Sequence, residues 1–157
     1  MFDYGWYGIK DGDARAYALF SRHYSFHHYK DNRRQLDRRI VGPGDRLVLM
    51  TPDCMALFVW KKFDDPSGQQ GVYCSVFRNE GPALSSDLIK LAMALAWDRW
   101  PGERLYTYVD SKQVESGLPG YCFIRAGWRR EKELTGSGKL VFYKLPRIAK
   151  ERKRGVR

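Results

Sequence analysis

The chain has 157 residues, enough for one domain with its own hydrophobic core. Hydrophobic residues make up 43% of it and aromatic residues 15%, which excludes a disordered or fibrous protein, and no apolar run is long enough to span a membrane. Lysine and arginine number 28 against 18 acidic residues, a formal net charge of +10, so a polyanion is the first partner to consider.

The excess basic residues are concentrated in two clusters. The second of them, residues 147–157, is predicted to be a basic C-terminal tail after a single domain over residues 1–146. Arginine forms paired hydrogen bonds to phosphate, so the arginine-rich first cluster favours phosphate recognition over mere solubility. The alternative is a solvated basic face followed by a loose tail. The first cluster contains Arg22, Lys30, Arg33, Arg34, Arg38 and Arg39.

Targeting signals and cysteine usage indicate a cytoplasmic protein without a membrane partner. The N-terminus MFDYGWYGIKDGD lacks the basic and apolar regions of a signal peptide. Cys54, Cys74 and Cys122 are an odd number of widely spaced cysteines, and two of them lie in apolar runs where buried free thiols are expected. A reducing compartment fits this pattern best.

The first half of the chain is predicted to form a helix and then strands. Apolar residues at helical spacing predict a helix from Asp13 to about Phe26, after an irregular segment that contains Trp6 and Tyr7. The arginine-rich stretch ends at the turn GPGD. Short apolar runs separated by turn residues then predict three strands, over residues 46–50, 55–63 and 71–78.

The second half alternates helices and strands. The longest helix is predicted from Asp87 to about Trp100, with Ser85 or Ser86 as its cap and Pro101 at its end. A strand over 105–109, a short helix within 110–126 and a strand over 139–145 follow. This order predicts an α/β fold with a mixed, mainly antiparallel central sheet and helices on both faces.

The order of these segments resembles the core of the GNAT acyltransferase superfamily. The strand VYCSVFR, the loop NEGPALSSD, the helix LIKLAMALAW, the strand LYTYVD and a short helix ending in AGW carry the resemblance, which covers roughly residues 46–145. The segment FIRAGW, Phe123 to Trp128, is similar to that family's aromatic-x-x-x-Gly-aromatic ending, whose first position is commonly tyrosine. The resemblance implies acetyl-CoA or a related acyl-CoA as cofactor.

The loop before the long helix matches the family's pyrophosphate loop only in part. That loop has the pattern Arg/Gln-x-x-Gly-x-Gly/Ala, in which backbone N–H groups bind phosphate. Residues 78–83 keep the arginine, the first glycine and the final alanine, but Pro82 removes a donor and Glu80 adds negative charge. The alternative is an ordinary strand-to-helix loop with serine caps. The resemblance implies cofactor contacts from Arg78, Gly81, Ser85 and Ser86.

Within the superfamily, the chain is most similar to the phage Mom-type DNA-modification proteins. The features that carry this likeness are the run Arg22-His23-Tyr24-Ser25, the paired serines, Asp110 at a strand end, and Pro-Gly-Tyr-Cys-Phe before Ala-Gly-Trp. That family alters adenine bases in double-stranded DNA on a GNAT-like fold. The resemblance therefore implies a phage-encoded transferase that modifies a nucleobase amine in DNA, in the host cytoplasm.

Acyl transfer to an amine requires a base, donors for the oxyanion and an acid for the leaving thiolate. GNAT-like enzymes often use a backbone N–H of the fourth strand as the donor and a tyrosine as the acid. The amides of residues 74–78 and the hydroxyl of Tyr121 are the corresponding candidates, and the alternative for Tyr121 is a packing role. Asp110 and Glu80, each at a strand end, are candidate bases, although Asp110 can also cap the loop that follows it.

Substrate contacts are expected just before and within the first basic cluster. The run Arg22 to Ser25 and the four arginines Arg33, Arg34, Arg38 and Arg39 are the candidates. His23 and His27 are four residues apart and would share a helix face, which makes them weak candidates for metal ligands. A polar or phosphate-contacting role is the favoured interpretation of both.

Two alternative functions remain open. One is an N-acetyltransferase that uses acetyl-CoA on a small amine or a peptide, although a basic surface would repel a cationic amine. The other is a non-catalytic nucleic-acid-binding module on the same fold, which the altered loop with Pro82 favours. Acyl-CoA binding separates the second alternative from the enzymes.

Overall fold

The computed structural model describes residues 5–23, 38–112 and 119–147. Across these ranges the chain forms seven strands and three helices. In chain order they are β1 (Tyr7–Ile9), α1 (Ala14–Phe20), β2 (Asp45–Met50), β3 (Ala56–Lys62), β4 (Val72–Asn79), α2 (Ser85–Arg99), β5 (Leu105–Val109), α3 (Tyr121–Arg125), β6 (Arg129–Arg130) and β7 (Leu140–Lys144).

The described strands form one sheet in the order β1-β2-β3-β4-β5-β7-β6. Short turns join β2 to β3 and β3 to β4, and these neighbours pair antiparallel, as do β1 with β2, β5 with β7, and β6 with β7. Only β4 and β5 pair parallel in this sheet, because α2 connects them and returns the chain to the same end. The prediction of a mixed, mainly antiparallel sheet in an α/β chain is confirmed.

Residues at the start and end of the helices explain where the predictions hold and where they fail. Asp13 caps α1, since its side chain accepts a hydrogen bond from the amide of Arg15. The helix ends at Phe20, so the predicted extension to Phe26 is wrong over residues 21–23, which form a turn, and residues 24–26 lie outside the described ranges.

The longest described helix, α2, begins at Ser85 after Leu84, and no side chain caps it. The predicted serine cap is wrong because the hydroxyl of Ser85 instead accepts a hydrogen bond from Asn79 Nδ2 at 3.0 Å. Leu88, Ile89 and Ala92 are buried, which agrees with the predicted burial of this helix. No helix within the described ranges is long and apolar enough to cross a membrane.

Buried side chains form two hydrophobic clusters. Residues of α2 and α3 belong to the first, together with Leu49, Phe58 and Trp60 of the sheet. Ala16 and Leu19 of α1 belong to the second, together with Val48, Met50, Leu57 and Val59. Successive residues of a strand point to opposite faces, which is why neighbouring residues of β2 and of β3 divide between the clusters.

The N-terminal segment is ordered more regularly than the sequence indicates. Tyr7 begins strand β1, and Trp6 is buried and donates its indole N–H to the carbonyl of Leu88 at 3.0 Å. Burial of an aromatic side chain of this size stabilises the fold by about 2–3 kcal/mol. Trp6 is therefore a core residue that cannot stack on a nucleobase, whereas Tyr7 remains partly exposed.

Candidate active site between strands β4 and β5

Strands β4 and β5 pair over a short stretch and then part. Their register joins Val72 with Leu105, Tyr73 with Tyr106, and Cys74 with Thr107, and extends no further along β4. The eight-residue strand β4 continues to Asn79 beside β3 alone. We call the region beyond Cys74 and Thr107 the β4–β5 gap. It lies at the carboxyl ends of the only parallel pair in the described sheet, where ligands meet open α/β sheets.

A β-bulge lies where the gap begins. Trp60 pairs with Cys74 and Val59 pairs with Val76, so Ser75 has no partner on β3. The extra residue also changes the face of the strand: Cys74 belongs to the first hydrophobic cluster and Val76 to the second, although strict alternation would place both on one face. Bulges recur next to active sites because they redirect backbone and side-chain groups.

Polar groups of β4 lie along the gap. The amide of Glu80 donates to the carbonyl of Met55 on the β3 side, and amides alternate along a strand, so those of Phe77 and Asn79 point towards the gap. The hydroxyl of Ser75 is buried and has no hydrogen-bond partner among the described residues. A buried donor without a partner costs about 1–3 kcal/mol, which a bound ligand with an acceptor oxygen would offset.

Helix α3, which begins at Tyr121, packs against β4 through Phe123. Gly120, with φ of 75°, caps the helix against the ring of Phe142, where a Cβ atom would come within 2.4 Å of the ring. Only glycine therefore fits this turn. Phe123 contacts Phe77 of β4 edge to face, with ring centroids 6.2 Å apart. Tyr121 itself is 51% exposed, which leaves its hydroxyl accessible to a substrate and disfavours a packing role.

The thiols near the gap are not nucleophiles. Burial raises the pKa of Cys74 far above its ordinary value, and burial also raises the pKa of Cys122. Both thiols therefore stay protonated at neutral pH. Cys54, Cys74 and Cys122 are all free, as expected, but only Cys74 is buried, whereas two buried thiols were predicted.

Glu80 is bound by two arginines at the end of β4. Arg22 donates from Nε at 2.7 Å and from Nη2 at 3.0 Å, one to each carboxylate oxygen, and Arg78 donates from Nε at 2.6 Å. These hydrogen bonds, from Arg22 first and Arg78 second, lower the pKa of Glu80 to about 2. A carboxylate with so low a pKa accepts protons poorly at neutral pH, which disfavours the predicted role of Glu80 as a general base.

His23 lies beside this group. Burial, together with the positive charge of Arg78, lowers the pKa of His23 to about 4, so its imidazole is neutral at physiological pH. The structure thus brings together three residues that the sequence assigned to substrate, cofactor and catalysis separately: Arg22, Arg78 and Glu80. The role of His23 as a substrate contact remains a prediction.

The predicted cofactor loop is held by Asn79. The amide of Gly81 donates to Asn79 Oδ1 at 3.0 Å, and Asn79 Nδ2 donates to the carbonyl of Ala83 at 2.7 Å. Ser86 is buried, while Leu84, in front of the helix, is 63% exposed. Of the predicted cofactor contacts, Gly81 and Ser85 already bond within the loop through Asn79.

Asp110 follows β5 and its side chain accepts a hydrogen bond from the amide of Lys112 at 3.0 Å. This contact is the loop-capping alternative that the sequence left open. No hydrogen bond or ion pair joins Asp110, Tyr121 and Glu80 to one another in the described structure. Their assignment to one reaction therefore remains a prediction.

Several candidate residues lie outside the described ranges: Tyr24, Ser25, His27, Arg33 and Arg34. Arg38 and Arg39 are described and exposed. Among the described residues, no three His, Cys, Asp or Glu side chains lie close enough to hold a metal ion. The metal candidates His23 and His27 are thus neither supported nor excluded.

Sequence reasoning missed Ser75 and Asn79. Both lie in the segment VYCSVFRN, where an unbroken strand accounts for the pattern and no glycine marks the bulge. A weak signal does exist, because Ser75 is the polar residue in an otherwise apolar run.

Comparisons with known proteins assign no family to the chain. No protein-family model matches it. Searches of curated proteins and of solved structures return no significant match either.

Proposed function

We propose that this chain is a GNAT-like transferase that binds an acyl-CoA with its acyl group in the β4–β5 gap and modifies a nucleobase amine in DNA. The observation that carries the proposal is the parting of β4 and β5 at the Ser75 bulge, where the buried Ser75 hydroxyl has no hydrogen-bond partner among the described residues and the amides of Phe77 and Asn79 face away from β3. Such donors fit a thioester carbonyl, and they would stabilise the oxyanion that forms when an amine attacks it.

The arrangement of the elements supports the GNAT-like part of the proposal. A central parallel pair, joined by the longest described helix, lies within an otherwise antiparallel sheet. Alternating residues of β2 belong to different hydrophobic clusters: Val48 to the cluster with α1, and Leu49 to the cluster with α2 and α3. We infer from this alternation that helices cover both faces of the sheet, as the resemblance implies.

The start of α2 supports a cofactor phosphate. No side chain caps this 15-residue helix, so its dipole and the amides of Ser85 and Ser86 face an anion site, although the amide of Asp87 already donates to the carbonyl of Leu84. Arg78 adds a positive charge before the loop. Asp87 in the first turn opposes phosphate binding, as does the absence of an N–H at Pro82.

The proposed reaction needs one acid and one base. The amine nitrogen attacks the thioester carbon, the oxyanion collapses and the C–S bond breaks. The nitrogen loses a proton to a base, for which Asp110 is the remaining carboxylate candidate, and the thiolate takes a proton from the Tyr121 hydroxyl. The exposure of Tyr121 supports that role.

Charge supports a nucleic-acid substrate. Beyond the two clusters seen in the sequence, the edge strand β6 consists of Arg129 and Arg130, and both side chains are exposed. A polyanion is therefore favoured over a cationic amine as substrate.

A non-catalytic nucleic-acid-binding module is the second candidate, and one observation favours it. The amide of Gly81 donates its hydrogen bond to Asn79 Oδ1, so this donor is not free for a cofactor phosphate. Binding of acetyl-CoA separates this candidate from the transferase.

Mass spectrometry of nucleosides tests the proposal. DNA from cells that express the protein is predicted to contain a new base adduct, whose mass gives the transferred group, and DNA from cells that express Tyr121→Phe is predicted to lack it. Because Tyr121 is half exposed, its variant should keep the melting temperature of the wild type. An equal amount of adduct with both proteins would refute the acid role, and no adduct with either would refute base modification.

A further inference from the structure

Glu80 is an acidic side chain that accepts hydrogen bonds from two arginines, a residue type that also binds phosphate. Arg22 approaches it with two nitrogens in the side-on geometry that guanidinium groups also adopt on phosphate, and Arg78 adds a third hydrogen bond from another element. The two arginines and one carboxylate carry a net positive charge. We call these residues the Arg22–Glu80–Arg78 triad.

The triad is open to solvent. The side chains of Arg22, Arg78 and Glu80 are 48%, 34% and 25% exposed. Each guanidinium group has five N–H donors, and Glu80 uses two of those of Arg22 and one of those of Arg78. No other hydrogen bond of either guanidinium group occurs with the described residues.

We propose that Arg22 and Arg78 form a binding site for a phosphate group and that the Glu80 carboxylate occupies this site until the phosphate displaces it. The site differs from the start of α2, since it uses side chains of β4 and of the segment after α1 and not loop amides. It also does not depend on acyl transfer. The phosphate can come from a nucleic-acid backbone or from the pyrophosphate of a nucleotide cofactor, since both offer the same oxygen acceptors.

The alternative to this proposal is an ordinary surface ion pair. Exposed pairs contribute about 0–1 kcal/mol to stability. An ordinary pair would give the same stability change but would have no effect on anion affinity beyond that of any lost negative charge. Anion affinity and not stability is therefore the informative measurement.

The test uses isothermal titration calorimetry of the full chain with inorganic pyrophosphate, at low salt and without phosphate buffer. Glu80→Gln keeps the size of the side chain and removes its charge. We expect it to bind pyrophosphate about fivefold more tightly than the wild type, the equivalent of about 1 kcal/mol for an exposed pair. The double variant Glu80→Gln with Arg22→Gln should lose this gain.

Glu131→Gln is the matched control. It removes the acidic partner of Arg104, in a pair whose arginine and glutamate side chains are 20% and 43% exposed, and changes net charge by the same amount. Titrations with coenzyme A and with a short DNA duplex identify the source of the phosphate, since the physiological ligand should share the gain. The proposal is overturned if Glu80→Gln gives no gain for pyrophosphate, if Glu131→Gln gives the same gain, or if the double variant keeps it.

Discussion

The β4–β5 pair holds a carboxylate at each end, and the two are bound in different ways. Asp65, in the loop before β4, accepts hydrogen bonds from the hydroxyls of Tyr106 and Tyr108 at 2.8 and 2.7 Å and from the amide and hydroxyl of Ser67. Glu80, after β4, is held by two guanidinium groups.

The donors determine what each carboxylate can do. The partners of Asp65 are neutral, and the Tyr106 side chain is fully buried. Burial alone would raise the pKa of Asp65, but the hydrogen bonds from Ser67, Tyr108 and Tyr106 outweigh it and lower the pKa. Burial and the hydrogen bond with Asp65 raise the pKa of Tyr106. The Tyr106 hydroxyl therefore keeps its proton, and Asp65 stays ionised, around neutral pH. The partners of Glu80 are charged, and their side chains are 48% and 34% exposed.

We infer that the paired end of β4 and β5 stabilises the fold and propose that the parted end binds ligands. At the paired end the hydroxyl of Tyr106 has an acceptor in Asp65. At the parted end the hydroxyl of Ser75 has no partner among the described residues, and the carboxylate of Glu80 lies between two guanidinium groups.

Asp65→Ala should cost about 2–4 kcal/mol of stability, because it leaves the buried hydroxyl of Tyr106 without an acceptor and frees the loop from β5. Urea denaturation measures the change. The neighbouring Asp64→Ala, at an exposed position, is the control and should stay within about 0.5 kcal/mol of the wild type. Equal effects of the two variants would show that the paired end is not held by this network.

Ser75→Ala should leave stability unchanged or raise it by up to about 1 kcal/mol, because it removes a buried hydroxyl that has no partner in the described structure. The same variant should bind acetyl-CoA about five- to tenfold more weakly if the hydroxyl contacts the acyl carbonyl. Thermal denaturation and calorimetry measure the two effects, and Ser137→Ala, at an exposed position, should change neither. A clear loss of stability with unchanged affinity would assign Ser75 to the fold and not to a ligand.

The Glu80 pair should make a small, pH-dependent contribution to stability. The pKa of Glu80 lies at about 2 in the folded chain, below its ordinary value of 4.5, so the contribution is complete above pH 4.5 and is lost as pH falls towards 2. It should stay under about 1 kcal/mol, because the pair is exposed. Melting temperatures of the wild type and Glu80→Gln at pH 6 and pH 3 should therefore converge at the lower pH. Parallel curves would mean that the triad does not form in solution.

The sequence predicts an element of this fold well where the segment is long and neighbouring residues in the sequence mark its end. The helix α2 and the strand β5 follow from apolar periodicity and from Pro101 and Gly102 between them. Strands β1 and β6 escape prediction, since three and two residues are too few to show a period. Ser85 fails as a cap because Asn79, six residues earlier, uses its hydroxyl.

The site is less predictable because it depends on contacts between distant residues. Arg22 and Glu80 are 58 positions apart, and nothing local pairs them. The Ser75 bulge arises from the register of β3 against β4, which no single strand encodes. Asp110 differs in this respect, because its contact with the amide of Lys112 is local and is the loop-capping alternative that the sequence offered.

The most direct test of the β4–β5 gap as an acyl site is an NMR titration of the backbone amides. Addition of acetyl-CoA is predicted to shift the resonances of Ser75 and Phe77 saturably, and coenzyme A, which lacks the acetyl carbonyl, should shift them less. Shifts confined to other parts of the chain, or equal shifts with both compounds, would contradict the account.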